Sequence, residues 1–305
     1  MTGELRIGII GFDTSHVPAF TRLLNDAGDP FHVPGGRVVA GFPSFSKDLE
    51  SSYSRVEGFV ADVAGPHGVE MVDSVEALVR QVDAVLLESV DGRRHRAEIR
   101  PVLEARKPVY VDKPLAASYG EAAEIVRLAR QHGCPLFSSS SLRFDANVTA
   151  VKEDPDLGTV LACDAFSPAK LDLTNPGLFW YGIHGVEILY TFLGSGCQSV
   201  VTHASDGYDV VVGKWSTGRL ATMRGIRTGH LGYGATVFGE NKVAQVQYSR
   251  QIPIYAQLLK EIMPFFQGAP APVPVSETLE IMAFMQAAIV SQAEGREVVM
   301  SEITA

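Results

Sequence analysis

Short apolar runs alternate with helical periodicity through the first half of the chain. LRIGII (5–10) reads as a buried strand, and residues 17–26 follow as a helix. RVVAGF (37–42) is a second strand. DSVEALVRQ (73–81) is a helix that opens with Asp73 and Glu76 at capping-box spacing. DAVLLES (83–89) is another buried strand, residues 94–106 a helix, and PVYVDK (108–113) a further strand. SYGEAAEIVRLARQHG is the clearest helix: Ser118 and Glu121 have capping-box spacing and Gly133 supplies the stop. PLFSSS (135–140) closes the series as a strand. Strands that are apolar on both faces and alternate with helices predict a parallel sheet covered on both sides, a doubly wound α/β fold.

The pattern changes after about residue 145. SVVTHA, YDVVVGKW, RLATMRGI, GATVFGE and VAQVQY follow one another with little helix between them, which predicts a mostly antiparallel open sheet. One helix precedes these strands (180–193) and two follow (253–267 and 276–294), so the second half is α+β. The expected division is 1–145 and 146–305, with FDANV (144–148) as linker.

Composition narrows the function classes. A formal charge of −9 argues against a nucleic-acid partner, because such binding needs clustered Lys and Arg. Arg93, Arg94, Arg96 and Arg100 form the densest basic group and read as one helix face, with a small anion or phosphate as the alternative. Cys134, Cys163 and Cys197 have neither metal-site nor disulfide spacing, which predicts a reducing compartment. No apolar run is long enough to span a bilayer, and LRIGII begins too early to leave room for a leader. A cytoplasmic protein without membrane contact is expected.

Candidate chemistry concentrates in three stretches. In GIIGFDTSHVPAF, Gly11 sits between a strand and a helix, where a phosphate would meet the helix N-terminus. The alternative is a plain turn with Asp13, Thr14 or Ser15 as cap. In VYVDKP, Lys113 follows a strand at the carboxyl edge, where such sheets bind ligands. It reads either as a proton donor or as a solvated lysine, and Pro114 admits a cis bond. In FWYGIHGVEILYTFLG, Tyr181, His184 and Glu187 share a helix face, as an acid/base trio or as core residues. Asp13, His16, His95 and His184 could surround a metal, but their spacing does not require one and no metal is expected.

In this order the features resemble the Gfo/Idh/MocA oxidoreductases, a family that includes glucose–fructose oxidoreductase and inositol dehydrogenase. DKP (112–114) is similar to the family's Glu-Lys-Pro, and SSSLRFDANVTAVKE to the segment leaving the nucleotide domain, with its Arg143–Phe144 pair. GIHGVEILYTFLG resembles the G-x-H-x-x-D helix and AAIVSQAEGREV the closing helix. The resemblance implies NADP or NAD on the first domain, a sugar, polyol or sugar-derived substrate, and a homodimer or homotetramer built through the second sheet. It implies Lys113 and His184 as the proton-handling pair; Tyr181, Glu187 and Arg143 are expected around the substrate, and so is Trp180 by the chemistry of its indole. The implied cofactor contacts are Gly11, Phe12, Asp13, Thr14, Ser15 and His16, then Ser44, Asp91, His95 and Asp112. Ser44, Ser46 and Lys47 after the second strand favour a 2′-phosphate.

The chain also departs from the pattern. Asp13 replaces a loop glycine, His16 a small residue, and Trp180 the aspartate four residues before the histidine. The indole offers a wall for a sugar ring but no proton acceptor. Asp13 is expected to turn inward and cap the helix. The alternatives to a dehydrogenase are a lyase or hydrolase acting on an oxidised glycoside, and a ligand-binding protein without turnover.

Overall fold

The structure, a computed structural model, describes residues 3–249 and 251–305. The chain divides into two compact units. The first comprises residues 1–116, 120–139 and 252–275, and the second 117–119, 140–251 and 276–305. The expected single boundary after residue 145 therefore differs from the observed division, because 252–275 returns to the first unit.

In the first unit, β1 (Leu5–Ile10), β2 (Gly36–Phe42), β3 (Glu70–Met71), β4 (Ala84–Leu87), β5 (Val109–Asp112) and β6 (Leu136–Ser139) form one parallel sheet in the order β3-β2-β1-β4-β5-β6. That is the doubly wound order that reverses beside the first strand. The helices are α1 (His16–Asn25), α2 (Glu50–Tyr53), α3 (Val56–His67), α4 (Val75–Val79), α5 (Gly92–Glu104) and α6 (Tyr119–His132). Ser74, not Asp73, caps α4, accepting from the Ala77 N–H at 3.1 Å. β4, β5 and β6 are buried at every position, as strands covered on both faces must be. The helix expected at 253–267 is Ile254–Phe266, and its Phe265 meets Phe137 of β6 edge-on at 4.9 Å.

The second unit holds α7 (Ala146–Lys152), β7 (Val160–Pro168), α8 (Ile183–Leu193), β8 (Cys197–Ala204), β9 (Tyr208–Trp215), β10 (Leu220–Ile226), β11 (Gly234–Gly239) and β12 (Val243–Gln247). After Ile254–Phe266 (α9) come α10 (Val275–Glu294), β13 (Val298–Val299) and α11 (Ser301–Thr304). The sheet runs β12-β11-β7-β10-β9-β8-β13. All pairings are antiparallel except β7 with β10. The expected linker at 144–148 is structured: Asp145 caps α7 and also accepts from the Ser249 N–H. β9 and β10 alternate buried and more exposed residues, so one face of this sheet is covered and the other open. Under the covered face, Phe284 of α10 meets Tyr190 of α8 and Trp215 of β9, with ring centroids 5.9 and 6.4 Å away.

Phe284 is fully buried, so Phe284→Ala leaves a cavity that its rigid neighbours cannot fill. The expected loss is about 3–5 kcal/mol of unfolding free energy, read by urea denaturation.

Candidate functional site

Parallel strands deliver their following loops to one edge, and the first unit's polar residues gather there. The turn after β1 depends on Gly11. Its φ is +87°, and a Cβ there would lie 2.3 Å from the Ser89 backbone nitrogen. Phe12 is fully buried in the core. Asp13 is also fully buried, but it does not cap α1. Its carboxylate accepts from Ser52 Oγ at 2.5 Å and from the Val90 N–H at 3.0 Å. Burial pushes its pKa up, and those two bonds pull the other way. Asp13 therefore ties the β1 loop to the loop after β4. Ser15 stands at the N-cap of α1 with no side-chain cap bond, and its neighbour Thr14 is buried.

His16 opens α1. Its ring stacks on Phe20 at 5.1 Å and meets Tyr255 of α9 edge-on at 4.6 Å. Its Nδ1 bonds Glu88 Oε2 at 2.8 Å and lies 3.5 Å from Asp112 Oδ2. Lys113 Nζ is 3.5 Å from that same Asp112 oxygen. Glu88 and Asp112 are buried, and Glu88 Oε1 and Asp112 Oδ2 have no hydrogen-bond partner. Burial pushes Glu88 up to about 7 against the pull of His16. Burial pulls His16 down, but Asp112 and Glu88 outweigh it and hold the imidazole above its ordinary range. Lys113–Pro114 is a cis peptide.

Among the described residues, His16 is the one of the four weighed as metal ligands that joins a group with ligand spacing. His16, Glu88 and Asp112 offer donor atoms within 4.8 Å of one another. His95 is fully buried, with Nε2 2.7 Å from the Ser89 carbonyl and Nδ1 3.2 Å from the Leu115 carbonyl. It braces the loop after Lys113, and no ring nitrogen faces outward.

A groove beside the end of β2 is lined by Ser44, Ser46, Lys47, Asp91, Arg93 and Arg94, among others. Asp91 caps α5, accepts from Ser46 Oγ at 2.6 Å and binds Arg93 at 2.7 Å. The same guanidinium reaches the exposed Asp48 at 2.9 Å. Lys47 is exposed. The start of α1 and this groove, which sets Lys47, Arg93 and Arg94 against Asp48 and Asp91, both lie at the sheet's carboxyl edge, where doubly wound folds take their ligands.

In the second unit, His184 is half-buried on α8, and its Nδ1 is 2.7 Å from Ser140 Oγ. Tyr181 and Tyr233 meet its ring edge-on at 5.1 and 5.7 Å, and their hydroxyls are 3.0 Å apart. Trp180 is half-buried just ahead of α8. Glu187 does not serve His184. It is buried, takes Arg143 Nε at 2.6 Å and accepts from the Ser140 N–H, while Arg143 Nη1 reaches Glu277 at 2.7 Å. Burial pushes Glu187 up, opposed by Arg143. Arg143 and Glu187, expected around the substrate, thus form a buried ion cluster holding the turn at 141–144 to α8. Glu88, Ser140 and Tyr233 were not anticipated. Glu88 is the only one with a sequence signal, a carboxylate ending an apolar strand.

A model described as an oxidoreductase family with an NAD-binding Rossmann fold matches residues 5–140. The inositol 2-dehydrogenase 2 of Mycolicibacterium vanbaalenii is 27% identical over 206 residues, covering 65% of this chain and 56% of that protein. The inositol 2-dehydrogenase of Cereibacter sphaeroides is 31% identical over 153 residues, covering 49% and 40%. The chain thus spans about half the length of these curated relatives. The solved myo-inositol dehydrogenase of Lactobacillus casei, in complex with NAD(H) and myo-inositol, shares the fold at a TM-score of 0.76 and 18% identity, covering 97% of this chain and 96% of that one.

Arg143→Met leaves Glu187 and Glu277 without their cation. The expected cost is about 3–5 kcal/mol in denaturant unfolding, because one partner of a buried pair is stranded. A cost under about 1 kcal/mol would make the cluster equivalent to a surface pair.

Proposed function

Because the chain belongs to the Gfo/Idh/MocA oxidoreductases, we propose that it is an NAD(P)-dependent oxidoreductase of a sugar, polyol or sugar-derived alcohol or ketone. The observation that carries this reading is the polar groove at the end of β2, lined by Ser44, Ser46, Lys47 and Arg93, on the same sheet edge as the Gly11 turn and the start of α1. The bound nicotinamide supplies the hydride chemistry, and the protein's share is positioning and proton transfer. Gly11 and the segment from Thr14 to His16 are the proposed phosphate contacts, with the buried Phe12 and Asp13 fixing the turn from inside, while Ser44 and its neighbours, braced by the buried Asp91, are proposed for the adenosine end. Asp112 and His95 act indirectly, by fixing Lys113 and the loop after it.

Lys113 on the first unit and His184 on the second are the proposed proton-handling groups. A serine hydroxyl stands against His184 Nδ1. It orients the ring without adding the charge of a carboxylate. Trp180 and Tyr181 are the proposed substrate contacts, the indole against the C–H face of a ring and the phenol through its bond to Tyr233. A homodimer or homotetramer through the open face of the second sheet is part of the proposal. Tyr208, Leu220 and Val243 supply exposed apolar surface on its strands. Among the described residues no helix is long and apolar enough to cross a membrane. A cytoplasmic location is proposed with the rest.

NADP is the preferred nucleotide in this reading, because Lys47 and Arg93 can meet a 2′-phosphate once Asp48 yields the guanidinium. Paired titrations should show tighter NADP than NAD, and Arg93→Ala should narrow the gap. Tighter NAD binding would reverse the assignment. With NADP and a panel of polyols and glycosides, Lys113→Ala should lose on the order of 10²-fold in turnover. Unchanged turnover would return Lys113 to an ordinary edge lysine.

A further inference from the structure

Four ionisable groups from three segments meet beneath the start of α1: His16, Glu88 at the end of β4, Asp112 at the end of β5, and Lys113 after it. Their charges cancel only while the His16–Glu88 pair keeps one proton, counted on His16. Two carboxylates then face one imidazolium and one ammonium. Loss of the imidazole proton leaves one net negative charge in a buried cluster, under the helix start that receives phosphate in this fold. The other groups around His16 do not change this count. Phe20 and Tyr255 cover its faces, and the Tyr255 hydroxyl is 3.4 Å from Ser15 Oγ.

We infer that His16 is a binding determinant for the nucleotide, and that the site accepts phosphate only while His16 and Glu88 share their proton. This deepens the proposed function and rests on it. Three observations support it. The His16 Nδ1–Glu88 Oε2 bond of 2.8 Å is within the range of a charge-assisted hydrogen bond, so a proton lies between the two groups. Glu88 Oε1 and Asp112 Oδ2 are buried without hydrogen-bond partners, so they depend on the nearby cations for compensation. The directions of titration agree, since Glu88 and His16 are both held above their ordinary values. A divalent cation bound by the same three side chains is the competing use of the cluster. Lys113 Nζ, 3.5 Å from Asp112 Oδ2, already supplies positive charge and would repel it.

The test is NADPH binding to the full chain between pH 7 and 9, above the titration of a phosphate monoester (about 6). Wild-type affinity should weaken as pH rises, approaching tenfold per pH unit once the pair has lost its proton. His16→Gln should bind at least tenfold more weakly at pH 7 and show a flat profile. Glu88→Gln leaves only Asp112 to oppose Lys113 and His16, so the cluster is never net negative and the wild-type decline should be flattened with affinity retained at high pH. Ring-nitrogen NMR of labelled histidine follows His16 in the nucleotide-free protein, where Glu88→Gln should lower its titration point. Binding that is independent of pH and of His16 overturns the inference while leaving the proposed function intact. No NADPH or NADH binding at any pH overturns both. Stoichiometric zinc or manganese binding that His16→Gln abolishes assigns the cluster to a metal and overturns the proton reading.

Discussion

Six parallel strands must bring all their carboxyl ends to one edge, and the first unit's candidate site hangs from that constraint. Residues far apart in the chain become neighbours because β1, β4 and β5 lie side by side. His16 follows β1, Glu88 follows β4, and Asp112 ends β5. The edge then requires charge balance. Each carboxylate it carries has lost water, and each is compensated from a neighbouring loop: Asp13 by Ser52 and the Val90 N–H, Asp91 by Arg93 and Ser46, Glu88 by His16. The compensating bonds also fasten the loops to one another, so site electrostatics and loop geometry are set by the same contacts.

The second unit meets a different constraint. Its sheet is covered on one side, and α8 lies against that side with nearly every position buried. A helix so placed can present only its first turn for chemistry. His184 is there, whereas Glu187, one turn on, is in the interior and needs Arg143. Helical spacing alone puts Tyr181, His184 and Glu187 on one face. Depth separates them, because the face dips into the core along its length. Ser140 joins the two environments: its hydroxyl meets His184 and its N–H meets Glu187.

The fold was legible where burial was uniform or strictly alternating. β1, β4, β5 and β6 read as apolar runs, and β9 and β10 as alternation. β7 escaped because VLACDAFSP mixes small and polar residues, although it lies in the middle of its sheet. α3 escaped because Gly58, Gly65 and Pro66 lie within it, residues that weaken a helical reading. The return of α9 to the first unit has no local signal, since a helix's apolar face does not specify its partner. In the site, Gly11 and Lys113 were legible from their places relative to strands. The His16–Glu88 and Arg143–Glu187 pairs were not, because their members are 72 and 44 residues apart and only the folded chain joins them.

Asp13 and His16 look like losses when set against a glycine-rich phosphate turn, and the geometry gives each a structural reason. A carboxylate about 4 Å from a phosphate would cost about 1 kcal/mol in water and more when dry. Asp13 is instead spent inward, on Ser52 and the Val90 N–H, so its charge is engaged in bracing the turn. Gly11 still provides the left-handed backbone that the turn needs. A small residue at position 16 would have let the backbone approach a ligand but would have left Glu88 and Asp112 buried without the imidazole. The two changes are therefore linked to the acidic residues around them. A sheet edge that buries Glu88 and Asp112 needs a polar partner at the start of α1, and His16 is the side chain that reaches Glu88 from there.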